Sequence, residues 1–369
     1  MRWLSDNAVD RLREQADLPD LGDSKYSILH KLGSGGMGAV YLAQDAELGR
    51  KVAVKVMNIS DSTGALASRM MREARIVALL EHPSIVPIHD VGTLGDGRIY
   101  YAMKLVQGAR LDQSVSGASL SDLLRIFQKV CEAVAFAHSR GVIHRDLKPE
   151  NIMVGPFGEV LVMDWGVAKQ LSGVGLNERA ADSPGGPIAF EDADRINTLP
   201  FADASPGETA GGTIIGTPAY MSPEQAKGQT DLVDERSDIY ALGAILYFIL
   251  TRRAPSQVDA PASVDISACV REQLTSERVV HPRTIDAKIP KPVEAVCMKA
   301  IAESRECRYA SAEEMASDVV AFLDGAPVSA YRENVYEKAS RWLNKNRFIV
   351  LLIVAYLLMR LIVLFAAGR

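Results

Sequence analysis

Val142-Ile143-His144-Arg145-Asp146-Leu147-Lys148-Pro149-Glu150-Asn151 constrains this chain more than any other stretch. It crowds imidazole, guanidinium, carboxylate, ammonium and amide groups between segments that otherwise read as core. That density of polar function points to chemistry rather than packing. A length of 369 residues allows two ordinary domains or one large bilobal one. Hydrophobic content of 48% and charged content of 24% sit near globular averages, so most of the chain should fold. A net charge of -5 leaves no basic footprint for nucleic acid. Cys131, Cys269, Cys297 and Cys307 are scattered without a C-x-x-C pair, so neither a zinc site nor a disulfide framework is suggested. They are expected to be small buried hydrophobes in a reducing compartment. The first residues carry no apolar run, hence no signal peptide.

Residues 1–25 are polar and acidic and read as a loosely held extension. Tyr26-Ser27-Ile28-Leu29-His30-Lys31-Leu32 reads as a strand running into Gly33-Ser34-Gly35-Gly36-Met37-Gly38, with Ala39-Val40-Tyr41-Leu42-Ala43 as a second strand. Dinucleotide folds use the same G-x-G-x-x-G letters, but there the glycines open a helix. Here a β-like run follows them, which favours a glycine-rich hairpin lying over phosphates. The third strand, residues 51–57, carries Lys55, whose alternatives are a phosphate ligand or an outward-facing lysine. Residues 66–80 have helical spacing, with Met70, Ala74, Val77 and Ala78 on one face. Glu73 lies in that helix between Arg72 and Arg75, so a surface salt bridge competes with a buried one. His82-Pro83 should end the helix. Residues 85–89 and 98–104 are expected to be strands, with a turn at 92–97 between them.

Past residue 108 the pattern turns helical. Ser121-Asp122 is expected to cap a long apolar-periodic helix ending at His138. Residues 152–154 and 160–163 form short apolar strands that deliver Asp164-Trp165-Gly166. From 170 to 212 periodicity vanishes into Gly, Ala, Asp, Ser and Pro, a composition that predicts disorder. Order is expected to resume at Ile214-Ile215-Gly216-Thr217-Pro218-Ala219-Tyr220-Met221-Ser222-Pro223-Glu224. Ser237-Asp238 opens an apolar run, residues 241–250, that is a buried helix too short to span a bilayer. Ser311-Ala312-Glu313-Glu314 is a helix start of capping-box type.

Residues 348–367 are apolar except for Arg360 and the mildly polar Tyr356. At about 1.5 Å per residue they span roughly 30 Å, a hydrocarbon core. Arg360 costs roughly 2.5–3.5 kcal/mol, against roughly -4 to -8 kcal/mol from the Leu, Ile, Val and Phe residues, so insertion is expected. Lys338, Arg341, Lys345 and Arg347 precede the segment and only Arg369 follows it, which keeps the N-terminal side cytoplasmic. The chain ends two residues past the span, as a tail anchor does or a chain lacking an outer domain.

Taken in order, H-R-D-L-K-P-E-N, the glycine-rich run, V-A-V-K, D-W-G and G-T-P-A-Y-M-S-P-E resemble the eukaryotic-type (Hanks-type) Ser/Thr protein kinases, in their bacterial membrane-anchored branch. The resemblance covers residues 26–325 and implies an α+β bilobal fold. A small antiparallel lobe (26–108) would join a larger helical lobe (109–325), with 170–212 an insertion in the activation segment. A juxtamembrane segment (326–347) and a transmembrane helix (348–367) would follow. The resemblance implies ATP between the lobes, bound under Leu32, Gly33, Ser34, Gly35, Gly36, Met37, Gly38, Ala39 and Val40. Lys55, fixed by Glu73, would align its phosphates. Lys104 and Val106 would meet adenine through the hinge backbone, with Met103 guarding the pocket behind. Asp146 would orient the acceptor hydroxyl, Lys148 would shield the transferring group, and Asn151 and Asp164 would hold Mg2+.

The same resemblance makes Asp238 a cap on the catalytic loop, pairs Glu224 with Arg308, and sets Thr217 beside Lys148. Thr209 and Thr213 are the expected phosphorylation sites, gathered by Arg145. Trp165 stands where the family has Phe, and Ser222 where it has Ala. The implied reaction moves the ATP γ-phosphoryl group to Ser or Thr of protein substrates, at the cell membrane with the kinase domain cytoplasmic. A second copy of the chain is a compatible partner, and nucleic acid is not one. The alternative is a pseudokinase acting as a membrane scaffold, although no essential residue is missing. A small-molecule kinase is disfavoured by the G-T-P-A-Y-M-S-P-E element, which serves peptide docking.

Overall fold

The computed structural model describes residues 18–22, 24–35, 38–57, 74, 77–165, 169–170, 218–255 and 279–367. Glu73, Gly36, Met37, Gly166, Thr209, Thr213, Thr217, Cys269 and nearly all of the 170–212 stretch lie outside the described residues.

Five antiparallel strands build the small lobe: β1 (Tyr26–Gly35), β2 (Gly38–Asp45), β3 (Arg50–Met57), β4 (Ile88–Thr93) and β5 (Ile99–Lys104), in the order β1-β2-β3-β5-β4. β3 sits centrally, and its run from Val52 to Met57 is buried throughout, as a strand covered on both faces requires. Pairing of Val40 with Lys55, Lys55 with Tyr101 and Ala53 with Met103 sets these side chains on one face, because cross-strand partners share a face and the period is two. The opposite face packs Tyr41, Val52, Val54, Val56, Tyr100 and Ala102 into a small core.

The first strand of the pair at 85–104 starts later than the sequence suggested. Ile85 and Val86 are buried between the lobes, and Ile85 makes only an isolated parallel bridge to Val162. The turn shrinks correspondingly to residues 94–97, closed by the Leu94 amide on the Arg98 carbonyl at 2.7 Å.

The large lobe begins with β6 (Ala109–Arg110) and α1 (Leu111–Ser114), then α2 (Leu120–Ser139). Ser119, not Ser121, caps α2 by accepting from the Asp122 amide at 3.1 Å. β7 (Val142–Ile143), β8 (Ile152–Val154), β9 (Val160–Val162) and β10 (Lys169–Gln170) make two small sheets around the loop at 144–151. Then come α3 (Pro223–Ala226), α4 (Glu235–Thr251), α5 (Pro282–Ile285), α6 (Lys291–Ala300) and α7 (Ala312–Leu323). α4 is buried almost all round. Gly243 lets α6 close on it: a Cβ there would meet the Ala300 methyl at 2.7 Å. Ser311 caps α7 through the Glu314 amide, while the Glu314 carboxylate returns to Ala310 rather than to Ser311. Cys131 and Cys297 are buried as expected; Cys307, on a short 3-10 turn, is exposed instead.

Two C-terminal helices follow, α8 (Val335–Lys345) and α9 (Arg347–Ala367). Among the described residues no helix is long and apolar enough to cross a membrane. Within α9 the described side chains run unbroken only from 350 to 360.

Candidate active site

The loop at 144–151 is a polar strand-to-helix crossing that survives next to the core because a buried carboxylate holds it. Asp238, in the first turn of α4, is 1% exposed. Its Oδ2 accepts from the His144 amide at 2.7 Å and contacts His138 Nε2 at 2.9 Å; its Oδ1 accepts from the Arg145 amide at 2.8 Å. Burial acts to raise the Asp238 pKa, but His138 and the loop amides outweigh it and hold the carboxyl below its ordinary range. Arg145 has φ +71°, a conformation costing about 1–2 kcal/mol for a residue with a Cβ. Bonds to a charged acceptor, about 1.5–3 kcal/mol each, offset that cost. Gln225 Nε2 donates to the Arg145 carbonyl at 2.8 Å, tying the other side of the same residue.

Asp146 thereby projects into the cleft from a fixed backbone. Its Oδ2 accepts from Lys148 Nζ at 2.8 Å and from Asn151 Nδ2 at 3.2 Å, and Asn151 Nδ2 also donates to the Asp146 carbonyl at 2.8 Å. His144 Nδ1 accepts from the Asp146 amide at 3.3 Å, which leaves Nε2 to donate to the Met163 carbonyl at 3.0 Å. The His144 ring lies 4.5 Å from that of Trp165. Trp165 is 2% exposed and donates Nε1–H to the Val162 carbonyl at 3.3 Å, so the indole replaces a phenyl ring without burying an unpaired donor.

Lys55, on the cleft face of β3, pairs with Asp164, which has φ +64°. Burial opposes the Lys55 charge, but the Tyr101 oxygen and Asp164 outweigh it and raise its pKa. Burial likewise acts to raise Asp164, and Lys55 overrides it and keeps the carboxyl below its ordinary range. The Lys55–Glu73 pairing suggested by the sequence lies outside the described residues, as does the phosphorylation pair Thr209 and Thr213.

Of the glycine-rich run, Leu32, Gly33 and Ser34 are exposed on β1, and Ala39 is buried on β2 beside half-buried Val40. Gly33 has open space around it, whereas a Cβ on Gly38 would run into the Val56 carbonyl, so Gly38 is needed for packing of β2 on β3. At the hinge, the Lys104 amide donates to the Pro87 carbonyl at 3.1 Å. The backbone of Val106 has no hydrogen-bond partner among the described residues, as an adenine edge would need.

Two features underpin the loop from below. Arg308, 4% exposed, makes a bidentate pair with Glu224 at 2.8 and 3.0 Å, and Ser237 Oγ donates to Glu224 at 2.7 Å. Glu224 is held down to about 2: burial opposes the shift, and the Arg308 and Ser237 hydrogen bonds outweigh it. Ser222 and Gln225 form a capping box at the start of α3, which orients Gln225 toward Arg145. Gln225, His138 and Tyr101 were missed by sequence reasoning, and none carries a local signal that separates it from an ordinary polar or aromatic residue.

No group of three or more His, Cys, Asp or Glu able to hold a metal occurs among the described residues. Asn151 and Asp164 do offer hard oxygen donors on one side of the cleft: Asn151 spends its amide nitrogen on Asp146, which leaves Oδ1, and Lys55 engages only one Asp164 oxygen. Two protein oxygens suit magnesium, which keeps its remaining positions for phosphate and water.

Residues 26–184 match the protein kinase domain family. The serine/threonine-protein kinase PknD of Chlamydia felis is 36% identical over 319 residues, covering 82% of this chain and 31% of that protein. PknD of Protochlamydia amoebophila is 34% identical over 331 residues, covering 85% of this chain and 31% of that protein. The chain thus spans about a third of the length of these relatives. The crystal structure of the Mycobacterium tuberculosis PknI kinase domain superposes with a TM-score of 0.54 at 23% identity, over 80% of this chain and 95% of that one. The autoinhibited serine kinase domain of titin gives 0.59 at 17% identity, over 86% and 87%. These likenesses carry the fold alone, which is the bilobal protein kinase fold. The chain belongs to the Hanks-type bacterial Ser/Thr protein kinases.

Proposed function

We propose that the chain transfers the γ-phosphoryl group of ATP to Ser or Thr hydroxyls of protein substrates. The observation that carries this is the convergence of Asp146, Lys148, Asn151 and the Lys55–Asp164 pair on one cleft, with the loop backbone tied to Asp238. Phosphoryl transfer has a loose, charge-rich transition state, so positioning and neutralisation supply most of the catalysis. Asp146 Oδ orients the acceptor hydroxyl and takes its proton. Lys148 Nζ, fixed on the same carboxylate, sets positive charge where the transferring group passes. Lys55 aligns the phosphates, and the backbone of Lys104 and Val106 meets the adenine edge. Asn151 Oδ1 and an Asp164 oxygen would hold magnesium, which would supply positive charge against the phosphates. Purified chain given ATP, magnesium and a generic basic protein should label Ser or Thr, and absence of transfer would leave the scaffold reading standing.

Phosphorylation of Thr209 and Thr213 fits as the activating step, since a phosphate of roughly -1.5 to -2 charges can order a segment against a guanidinium. Mass spectrometry of active enzyme finding no phosphate between residues 170 and 217 would remove it. We read α9 as a single membrane anchor with the kinase on the cytoplasmic side. What supports this is its 21-residue length and the exposure of Leu351, Leu352, Ile353, Val354, Leu357 and Leu358 on every side. Retention in membranes through alkaline carbonate extraction is expected, and release of full-length protein would contradict the anchor.

A further inference from the structure

α8 is amphipathic, but it is docked the wrong way round for a helix that serves the core. Its apolar residues recur at helical spacing, with Val335, Ala339 and Trp342 at i, i+4 and i+7 and Tyr336 and Leu343 beside them. These face outward: Val335 is 79% exposed, Tyr336 86%, Trp342 58% and Leu343 47%. The polar side faces the large lobe. Glu337 accepts from Lys291 of α6 at 2.9 Å and from the Tyr331 hydroxyl at 2.9 Å, and completes a capping box with Asn334. Arg341 pairs with Glu333 at 2.8 Å. The approach to α8 is also fixed: Asp318 of α7, buried, accepts from Ser329 N at 2.7 Å, Ser329 Oγ at 2.8 Å and Ala330 N at 3.1 Å.

We propose that α8 lies in the membrane interface, its Val335, Tyr336, Trp342 and Leu343 face among the acyl chains and its basic flank among anionic headgroups, so that the large lobe is seated on the bilayer. This rests on the reading of α9 as the anchor, which α8 meets with only Asn346 between them. Three observations choose lipid as the occupant. The exposed apolar face runs on into the exposed apolar side chains of α9. Trp and Tyr are the aromatic residues enriched at headgroup depth. Residues 332–347 hold five Lys or Arg and two Glu, a net of +3, and both glutamates are already paired to cations, which leaves the basic excess for anionic lipid. A helix of this kind sits about 5–10 Å into the headgroup boundary. A kinase seated this way meets acceptors at the membrane surface first.

The test uses the full chain reconstituted in phosphatidylcholine–phosphatidylglycerol vesicles whose acyl chains carry bromine either near the headgroup or near the chain end. The difference in fluorescence between the chain and its Trp342→Phe variant isolates Trp342 from Trp3 and Trp165. Leu358→Trp, near the middle of the span, in the Trp342→Phe background reports on α9. Shallow bromines should quench Trp342 more than deep ones, and deep bromines should dominate at position 358. Quenching at 358 with none at Trp342 overturns the inference and leaves the anchor intact; quenching at neither overturns both. Shielding of Trp342 from aqueous iodide that disappears on protein dilution at constant lipid identifies a second copy as the occupant and also overturns it.

Discussion

Asp146 and Lys55 face one cleft from opposite lobes, yet they are held by different physics. Around Asp146 the backbone is tied from remote parts of the chain: Asp238 binds the two consecutive amides of His144 and Arg145, Gln225 binds the Arg145 carbonyl, and the buried Glu224–Arg308 pair fixes the helix that carries Gln225. Among the described residues Lys55 is held by strand register, by Tyr101 and by an ion pair across the lobes to Asp164, whose side chain is 40% exposed. The large-lobe half is tied down by buried groups, whereas the described ties of the small-lobe half include a partly exposed carboxylate. A loop that must position a reacting hydroxyl gains from the first arrangement; a clamp that must admit and release nucleotide gains from the second.

The largest expected effect lies in the large lobe. Arg308→Leu leaves Glu224 buried and unpaired, and should cost about 3–5 kcal/mol of stability in denaturant unfolding. A loss under about 1 kcal/mol would mean that this pair does not brace the loop. Lys55→Met should slow phosphoryl transfer about 10²–10³-fold. Its unfolding midpoint should stay near the parent's, and a matching loss of stability would erase the contrast between the two halves.

Acid should find the large lobe as well. Glu224 titrates near 2 in the folded chain against an ordinary 4.5, so its contribution is fully present above pH 4.5 and is lost as pH falls toward 2. The shift corresponds to about 3 kcal/mol, and the steep acid limb should flatten in Arg308→Leu. The smallest effect is at the junction of the halves. Trp165→Phe removes the bond to the Val162 carbonyl and should cost about 1 kcal/mol with transfer retained. Loss of transfer there would mean that the indole sets the Asp164 conformation.

The same contrast governs how much could be read from the sequence. His144 to Asn151 is legible because polar groups packed between apolar runs have few structural explanations, and Asp238 and Arg308 are reached through motifs at family spacing. Gln225 and His138 are not legible, because their bonds close loops of 80 and 100 residues and nothing local distinguishes them. Ser121 reads as the cap of α2 from the sequence, but Ser119 precedes the same apolar period, and only the backbone path shows that it is the residue that caps. Ile85 and Val86 read as strand because burial between lobes leaves the same apolar signature as burial in a sheet. The period in α8 was present in the sequence, but its direction of docking was not, since only the Glu337–Lys291 contact shows which face meets the lobe.

If Asp146 serves the chemical step while the opposite lobe holds nucleotide, rate and affinity should separate in Asp146→Asn. Single-turnover phosphoryl transfer and nucleotide affinity, measured together on the parent chain and on this variant, read both. Asp146→Asn should lose rate about 10²–10⁴-fold with nucleotide affinity nearly unchanged. A rate within about tenfold of the parent's, or an affinity that falls in step with the rate, would show that Asp146 does not have this role.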